Sequence, residues 1–355
     1  MRAAAPRIGV LPAGPRDALT DVAGVTVGHA TIADGAIQTG VTMVVPHPGN
    51  CFLDKLPAAV SVLNGFGKTA GLMQLAELGS LESPIALTNT FAVGTVATAL
   101  TREAVAATPA IGRTLPTVNP VVAECNDGHL NDLAAFAVTQ AHCGAALSAA
   151  GEDFSRGAVG AGRGMSCFEL KGGIGTASRV VQNAGRAHTL GALVLANFGR
   201  IAQLTLAGRR VGPAIAARLG ATVALDPAPA ASPAELGSIV VLLATDAPVD
   251  ARQLRRIAFR ASAGIARTGG AFGHGSGDVA IAFSTADRIP ARGAPTRTCE
   301  VLAEERLDGL FEAAAEATEQ AIVDALFCAV TVVGRDGRVR RALLDVAPDW
   351  ATLAA

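Results

Sequence analysis

The chain contains no tyrosine and a single tryptophan among its 355 residues. Any chemistry that would use a phenol must therefore be carried out by another group. Charged residues are also scarce, at 17%, and the formal net charge is −1. The sequence thus lacks the basic footprint of a protein that binds nucleic acid or an anionic membrane surface, and we predict neither partner.

Long apolar runs and paired cysteines are missing as well. No uninterrupted apolar stretch reaches about 18 residues, so we predict no membrane-spanning helix. The first residues carry proline and arginine where a signal peptide needs an apolar core, which favours a cytoplasmic protein. The six cysteines are widely spaced and form no C-x-x-C pair. We therefore expect reduced cysteines, no metal site and no cofactor.

Helical and strand patterns alternate along the chain, which predicts an α/β fold in one domain spanning residues 1–355. Short runs such as PIALTN, ALVLANFG, SIVVLLAT and VAIAFST are apolar on both faces, as in central strands that are covered on both sides. We therefore expect sheets inside and helices outside. Helices are predicted at residues 63–79, 93–108, 130–150, 249–268 and 307–330.

Two glycine-rich segments look like nucleotide-binding loops but have the wrong spacing. The stretch NGFGKT ends like a phosphate-binding loop, yet Val62 stands where that pattern needs its first glycine. Residues 157–179 hold many glycines without the G-x-G-x-x-G spacing. We interpret these glycines as positions where the backbone passes close to another strand or to a substrate.

The pair Gly237-Ser238 stands directly before the strand SIVVLLAT and after a proline- and alanine-rich connector, residues 225–236. One interpretation is a simple turn. The other is that the chain is cleaved here, so that Ser238 becomes an amino terminus. A serine hydroxyl needs an adjacent base to act as a nucleophile. The α-amine of an N-terminal serine, with a pKa of about 8, lies within reach of its own hydroxyl.

Other segments supply the polar groups that such a site needs. Asn197 ends an apolar strand and offers an amide to an oxyanion. Ser276 and Asp278, two residues apart at the mouth of a strand, point to one face and could hold an ammonium. The stretch AECNDGHLND adds a cluster of polar side chains: Glu124, Asn126, Asp127, His129 and Asn131. Taken alone, each of these segments is more often a turn than a functional site. Only in combination do they indicate a site.

The chain resembles the L-aminopeptidase/D-esterase and β-aminopeptidase family of self-cleaving N-terminal-nucleophile hydrolases over nearly its whole length. The similarity is carried, in order, by TDVAGVTVGH, TGVTMVVPHPGN, PIALTNTFAVGT, ECNDGHLND, GAVGAGRGMSCFELKGGIGTASR, GSIVVLLATDAP and GSGDVAIAFSTA. This resemblance implies a four-layer αββα sandwich that cleaves itself into residues 1–237 and 238–355. It also implies a homo-oligomer, commonly a homotetramer of cleaved heterodimers.

The resemblance further implies a role for each of four residues. Ser238 is expected to be the nucleophile, Asn197 part of the oxyanion hole, and Ser276 with Asp278 the groups around the amine. The sequence departs from the family at two positions. His129 replaces a tyrosine that often lines the site, and Asp278 replaces the glutamate of some members. If His129 lines the site, its imidazole should add a titration near pH ~6.5.

We therefore predict a self-processing hydrolase that releases small N-terminal amino acids from peptides, amides or esters through an acyl-enzyme on Ser238. Glu124 and His129 are expected to bind substrate, with the carboxylates of Glu124, Asp127 and Asp278 receiving its ammonium. One alternative is an amidase of the same fold that acts on a pantetheine-like or ω-amino amide. The other is an unprocessed, non-catalytic binding or scaffold protein.

Overall fold

Two β-sheets that pack face to face form the centre of the computed structural model, which describes residues 5–183, 185–223, 237–293 and 295–353. The predicted connector at residues 225–236 lies outside these residues. The described strands are β1 (Thr26–Asp34), β2 (Ile37–Val45), β3 (Asp54–Gly65), β4 (Ser80–Leu81), β5 (Ile85–Asn89), β6 (Val121–Cys125), β7 (Ser166–Cys167), β8 (Leu170–Lys171), β9 (Gly173–Asn183), β10 (Arg186–Asn197), β11 (Ser238–Thr245), β12 (Gly277–Ser284), β13 (Ile289–Pro290), β14 (Val332–Val333) and β15 (Val339–Arg340). The described α-helices are α1 (Leu72–Leu78), α2 (Val93–Ala107), α3 (Gln140–Ser148), α4 (Gly212–Val223), α5 (Ala251–Arg267), α6 (Asp308–Cys328) and α7 (Leu343–Val346).

The larger sheet has the strand order β13-β3-β12-β11-β10-β9, and the smaller has the order β1-β2-β5-β6. At the centre of the larger sheet, β11 pairs in parallel with β12 and antiparallel with β10. Every residue of β11 and β12 is buried, as expected of central strands covered on both faces. The parallel pair therefore brings the first residues of β11 and β12 to the same edge of the sheet.

Three apolar cores separate four layers. Alternate residues of β11 enter different cores because successive side chains of a strand point to opposite faces. Val240 and Leu242 join the core between the two sheets, whereas Val241 and Leu243 join the core beneath α5 and α6. A third core, which includes Met43, lies between the smaller sheet and helices α2 and α3. The predicted α/β class and αββα layering are confirmed.

Three predicted helices are confirmed as α2, α5 and α6. Helix α5 begins where predicted because Asp250 caps it: the carboxylate accepts a hydrogen bond from the N–H of Gln253 at 2.7 Å. Its apolar face, with Leu254, Ile257 and Ala261, packs into the core beneath the larger sheet. The amphipathic pattern at residues 249–268 therefore identified both the helix and its buried side.

Two predicted helices are shorter than expected. Residues 63–79 contain the end of β3, a loop and only then α1, because Gly71 has a φ of 89° that no α-helix tolerates. Residues 130–150 contain a short 3₁₀ turn, Leu133–Ala135, which ends at Phe136 with a φ of 46°. Helix α3 starts afterwards at Gln140. In both segments a left-handed residue breaks what the sequence pattern suggested was one helix.

The glycines of residues 157–179 allow close backbone contacts, as predicted. A Cβ at Gly175 would lie 1.9 Å from the carbonyl oxygen of Ala321, so α6 packs directly on the backbone of β9. A Cβ at Gly173 would lie 2.1 Å from the carbonyl oxygen of Gly157.

Among the described helices, none combines the length and apolar character that crossing a bilayer requires.

Candidate active site

Ser238 is the first residue of β11 and is 7% exposed. Its Oγ accepts a hydrogen bond from the N–H of Gly277, the first residue of β12, at 3.0 Å. A Cβ at position 277 would lie 2.8 Å from the Cα of Gly67 and 3.2 Å from the Ser238 Oγ. Glycine at position 277 is therefore what lets a backbone N–H reach the hydroxyl.

Asn197 is the last residue of β10 and lies directly opposite Ser238 in the antiparallel pair. Opposed residues of two strands present their side chains on the same face of the sheet. The Asn197 Oδ1 accepts a hydrogen bond from the N–H of Ser166 at 2.8 Å, and its Nδ2 donates to the carbonyl of Asn126 at 3.0 Å. These two bonds fix the orientation of the amide and use one of the two N–H groups of Nδ2.

Ser276 and Asp278 are both buried, and their side chains are in contact, as their spacing predicted. The Ser276 Oγ donates to the Asp278 Oδ1 at 2.6 Å. The same carboxylate oxygen accepts a hydrogen bond from the N–H of Ile239 at 3.1 Å. Since Ile239 follows Ser238, the Asp278 carboxylate lies against the backbone of the candidate nucleophile.

Glu124 lies at the end of the smaller sheet, on β6, and is 3% exposed. Its Oε1 accepts a hydrogen bond from the N–H of Lys68 at 2.8 Å, and its Oε2 accepts one from the hydroxyl of Thr90. A Cβ at Gly67 would lie 3.7 Å both from the Glu124 Oε1 and from the Cα of Gly277. The loop that contains Gly67 therefore lies between the Glu124 carboxylate and Gly277, whose N–H donates to the Ser238 hydroxyl.

Asp127 is completely enclosed, with an exposed fraction of 0%. Its Oδ1 accepts a hydrogen bond from Asn131 at 3.0 Å. Burial raises the pKa of Asp127 to about 7, and hydrogen bonds with Thr39 and Asn131 oppose part of that rise. The structure thus assigns Asp127 to holding the loop that follows β6. Of the three carboxylates expected to receive an ammonium, Asp278 contacts the backbone next to Ser238 and Glu124 lies against the Gly67 loop.

His129 is half-buried and packs against the β14–β15 hairpin, where the carbonyl of Val339 accepts a hydrogen bond from it. Burial, with a further contribution from the charges of Arg340, Arg338 and Arg335, lowers the pKa of His129 to about 4, and the hydrogen bond to Val339 opposes part of that fall. The titration expected near pH 6.5 therefore moves to about pH 4, and His129 is neutral at neutral pH.

Cys125 lies beneath the cluster, with its Sγ 3.4 Å from the carbonyl oxygen of Ser238. Burial raises the pKa of this thiol well above its usual value. Cys125 is therefore a packed, neutral thiol rather than a competing nucleophile. Within the described ranges, no group of three or more histidine, cysteine, aspartate or glutamate side chains is arranged to hold a metal ion.

Several polar groups of the site are backbone groups that side-chain patterns could not reveal. They are the N–H groups of Gly277, Ser166 and Lys68 and the carbonyl of Asn126. The available signal was the glycine content of NGFGKT, which places Gly67 against Gly277. That segment is a wall of the site although it is not a phosphate-binding loop.

Comparison with known proteins gives the chain a family. The family model of peptidase family S58 matches residues 17–340. The chain is 39% identical over 341 residues to beta-peptidyl aminopeptidase BapA of Sphingosinicella microcystinivorans, with 91% of this chain and 84% of that protein covered. A similarity of this extent covers both sheets and all the residues of the candidate site.

Two solved structures agree with this result. The L-aminopeptidase D-Ala-esterase/amidase of Ochrobactrum anthropi, described as a variant among the Ntn (N-terminal-nucleophile) hydrolase fold, is similar at a TM-score of 0.85 and 36% identity, covering 98% of this chain and 97% of that one. A protein from Pyrococcus horikoshii OT3 is similar at a TM-score of 0.87 and 46% identity, covering 95% and 94%. The fold is thus that of an N-terminal-nucleophile hydrolase. Within that class, the chain belongs to peptidase family S58.

Proposed function

We propose that the chain cleaves itself between Gly237 and Ser238 and then acts as a serine aminopeptidase that releases small N-terminal residues from peptides, amides or esters. One observation carries this proposal. Three groups meet at one edge of the larger sheet: the hydroxyl of Ser238 at the start of β11, the N–H of Gly277 at the start of β12, and the amide of Asn197 at the end of β10. The aminopeptidase names of the relatives support the same activity.

Self-cleavage would proceed by an N-to-O acyl shift. The Ser238 Oγ attacks the carbonyl carbon of Gly237, the amide bond breaks, and the hydroxyl proton passes to the nitrogen that becomes the α-amine of Ser238. Water then hydrolyses the ester, which gives a carboxylate on Gly237 and restores the hydroxyl. Crowding at Gly237 supports cleavage at this peptide bond. A Cβ at position 237 would lie 2.4 Å from the carbonyl oxygen of Asn197, so only glycine fits before Ser238.

The same groups would then serve the hydrolysis of substrate. The neutral α-amine of Ser238 takes the hydroxyl proton as Oγ attacks the substrate carbonyl, and it passes that proton to the leaving amine. The second N–H of the Asn197 amide is the proposed oxyanion donor, a class of effect worth about 3–4 kcal/mol. Ser276 and Asp278 are the proposed partners that hold and orient the amine, and the hydrogen bond from the N–H of Ile239 to Asp278 supports this role. Water finally releases the acyl group from Oγ.

Glu124 is the proposed receiver of the substrate's free ammonium. Its carboxylate is almost fully buried and accepts hydrogen bonds from the backbone N–H of Lys68 and the hydroxyl of Thr90, which leaves lone pairs for a further donor. A buried carboxylate gains most from a partner of opposite charge. Cytoplasmic location and assembly into a homotetramer of cleaved heterodimers stay predictions from the sequence.

A denaturing gel tests the central claim. The purified chain should give two fragments, whereas Ser238→Ala should give one inactive band near 35.6 kDa. Ser262→Ala is the matched control, because Ser262 lies on α5 and donates only to a carbonyl of its own helix. If Ser238→Ala is still split at the same bond, an external protease makes the cut. A wild-type chain that stays whole would instead favour the scaffold alternative.

A further inference from the structure

Lys171 is a lysine without any exposed surface. Its Nζ donates hydrogen bonds to three carbonyl oxygens, those of Gly162 at 2.9 Å, Met165 at 2.7 Å and Gly172 at 2.8 Å. An ammonium has three N–H groups, and a neutral amine has two. Although burial lowers the pKa of Lys171 well below its usual value, the three carbonyls favour the charged form.

The three carbonyls belong to one segment, residues 162–172, that folds around this ammonium. Ser166 lies within the segment and pairs directly with Lys171 across the β7–β8 hairpin. The N–H of Ser166 donates to the Oδ1 of Asn197 at 2.8 Å. The ammonium and the amide at the candidate site are therefore joined through a single short stretch of backbone, from Met165 to Ser166.

We propose that Lys171 is a positioning residue for the oxyanion-binding amide: its ammonium fixes residues 162–166, and the N–H of Ser166 in turn fixes the orientation of Asn197. This inference rests on the proposed function, in which Asn197 stabilises the oxyanion. Without the ammonium, three carbonyl oxygens would face one another without a donor, and the segment must rearrange. The Asn197 amide then loses the bond that orients its N–H groups.

The first test compares two lysine variants. Lys171→Met removes the ammonium and keeps the length of the side chain. We expect a fall in kcat of roughly 10²-fold, close to that of Asn197→Ala, with little change in KM. Lys55→Met is the matched control. Lys55 is also largely enclosed, but it pairs with Glu82 and lies at the start of β3, whereas the candidate site lies near the end of that strand. That control should keep the wild-type kcat.

A double-mutant cycle then separates positioning from a general loss of stability. If Lys171 acts through Asn197, adding Lys171→Met to Asn197→Ala should lower kcat by less than about 3-fold further. Losses that multiply would overturn the proposal. If Asn197→Ala instead keeps the wild-type kcat, Asn197 does not stabilise the oxyanion. That result would contradict the proposed function itself and is distinguishable from losses that multiply.

Self-cleavage gives a second readout, and kcat is expressed per cleaved chain. Lys171→Met and Asn197→Ala should slow self-cleavage to a similar extent, because both disturb the same amide. A Lys171 variant that stays whole while Asn197→Ala matures would count against the proposal. If Lys171→Met does not fold, Lys171→Gln, which retains two N–H donors, enters the same cycle and is judged by the same criterion.

Discussion

The N–H of Gly277 donates to the Oγ of Ser238 at 3.0 Å, and this bond joins the first residues of two parallel strands. Both strands are buried along their whole length, so neither residue can shift without disturbing the centre of the larger sheet. The position of the hydroxyl is therefore set by the sheet itself rather than by a loop.

Gly277→Ala should lower kcat by about 10- to 100-fold, because its Cβ would lie 2.8 Å from the Cα of Gly67 and would displace the Ser238 hydroxyl. Gly144→Ala, on α3, is the control, since a Cβ there meets no atom within 4 Å. That change should leave kcat unaltered and raise Tm slightly. Steady-state kinetics and thermal unfolding measure both effects. Equal kcat values for the two variants would place Gly277 outside the site.

Capping the substrate's amine with an acetyl group should strongly reduce kcat/KM, because the buried Glu124 carboxylate would face a neutral group. Glu124→Gln should lower kcat/KM for the uncapped substrate only. The difference in kcat/KM between the two substrates should therefore become smaller. A panel of free and acetylated aminoacyl amides measures this. Equal rates for both substrates with the wild-type enzyme would argue against an aminopeptidase and favour the amidase alternative.

His129→Tyr should leave the pH dependence of kcat/KM unchanged above pH ~5.5, since the pKa of His129 lies at about 4. Both enzymes should gain activity as the Ser238 amine loses its proton near pH ~8. Because the pKa of His129 is lower in the folded than in the unfolded chain, the wild type should lose stability relative to the variant below pH ~6.5. A wild-type limb near pH 6.5 that the variant lacks would contradict the structure.

Asp127→Asn should make the protein more stable at pH 8 and should have less effect near pH 4. The folded-state pKa of about 7 lies above the ordinary value of 3.8, so the unfolded chain binds fewer protons between these values. Stability contributed by this group therefore falls as pH rises, by up to ~4 kcal/mol for three pKa units. Thermal unfolding from pH 4 to 8 measures it. A Tm difference independent of pH would show that Asp127 is not protonated in the folded state.

The sequence pattern offered Ser238, Asn197, Ser276 and Asp278 as candidates, because each is a polar residue at the end of a strongly apolar strand, and the family resemblance gave each of them a role. Strand pattern also predicted the layers, since runs that are apolar on both faces need cover on both sides. The contact between Ser276 and Asp278 followed from their spacing of two residues.

Other features depend on residues far apart in the chain, which no local pattern contains. The low pKa of His129 arises first from its burial and then from the charges of arginines on a hairpin some 200 residues later. The burial of Asp127 and the neighbourhood of Gly67 and Gly277 likewise depend on how the segments pack. The helix predicted at residues 130–150 starts only at Gln140, because Phe136 adopts a left-handed conformation that the sequence pattern does not predict.

The central position of β11 also bears on when the proposed chemistry can begin. A chain end is usually the most mobile part of a protein, yet Ser238 is held by neighbouring strands on both sides. The amide and the N–H that meet it are contributed by segments on either side of it in the chain. Self-cleavage at Ser238 would therefore have to wait until the sheet has assembled. Under the proposed mechanism, only a correctly folded chain can cleave itself, and a misfolded chain remains uncleaved and inactive.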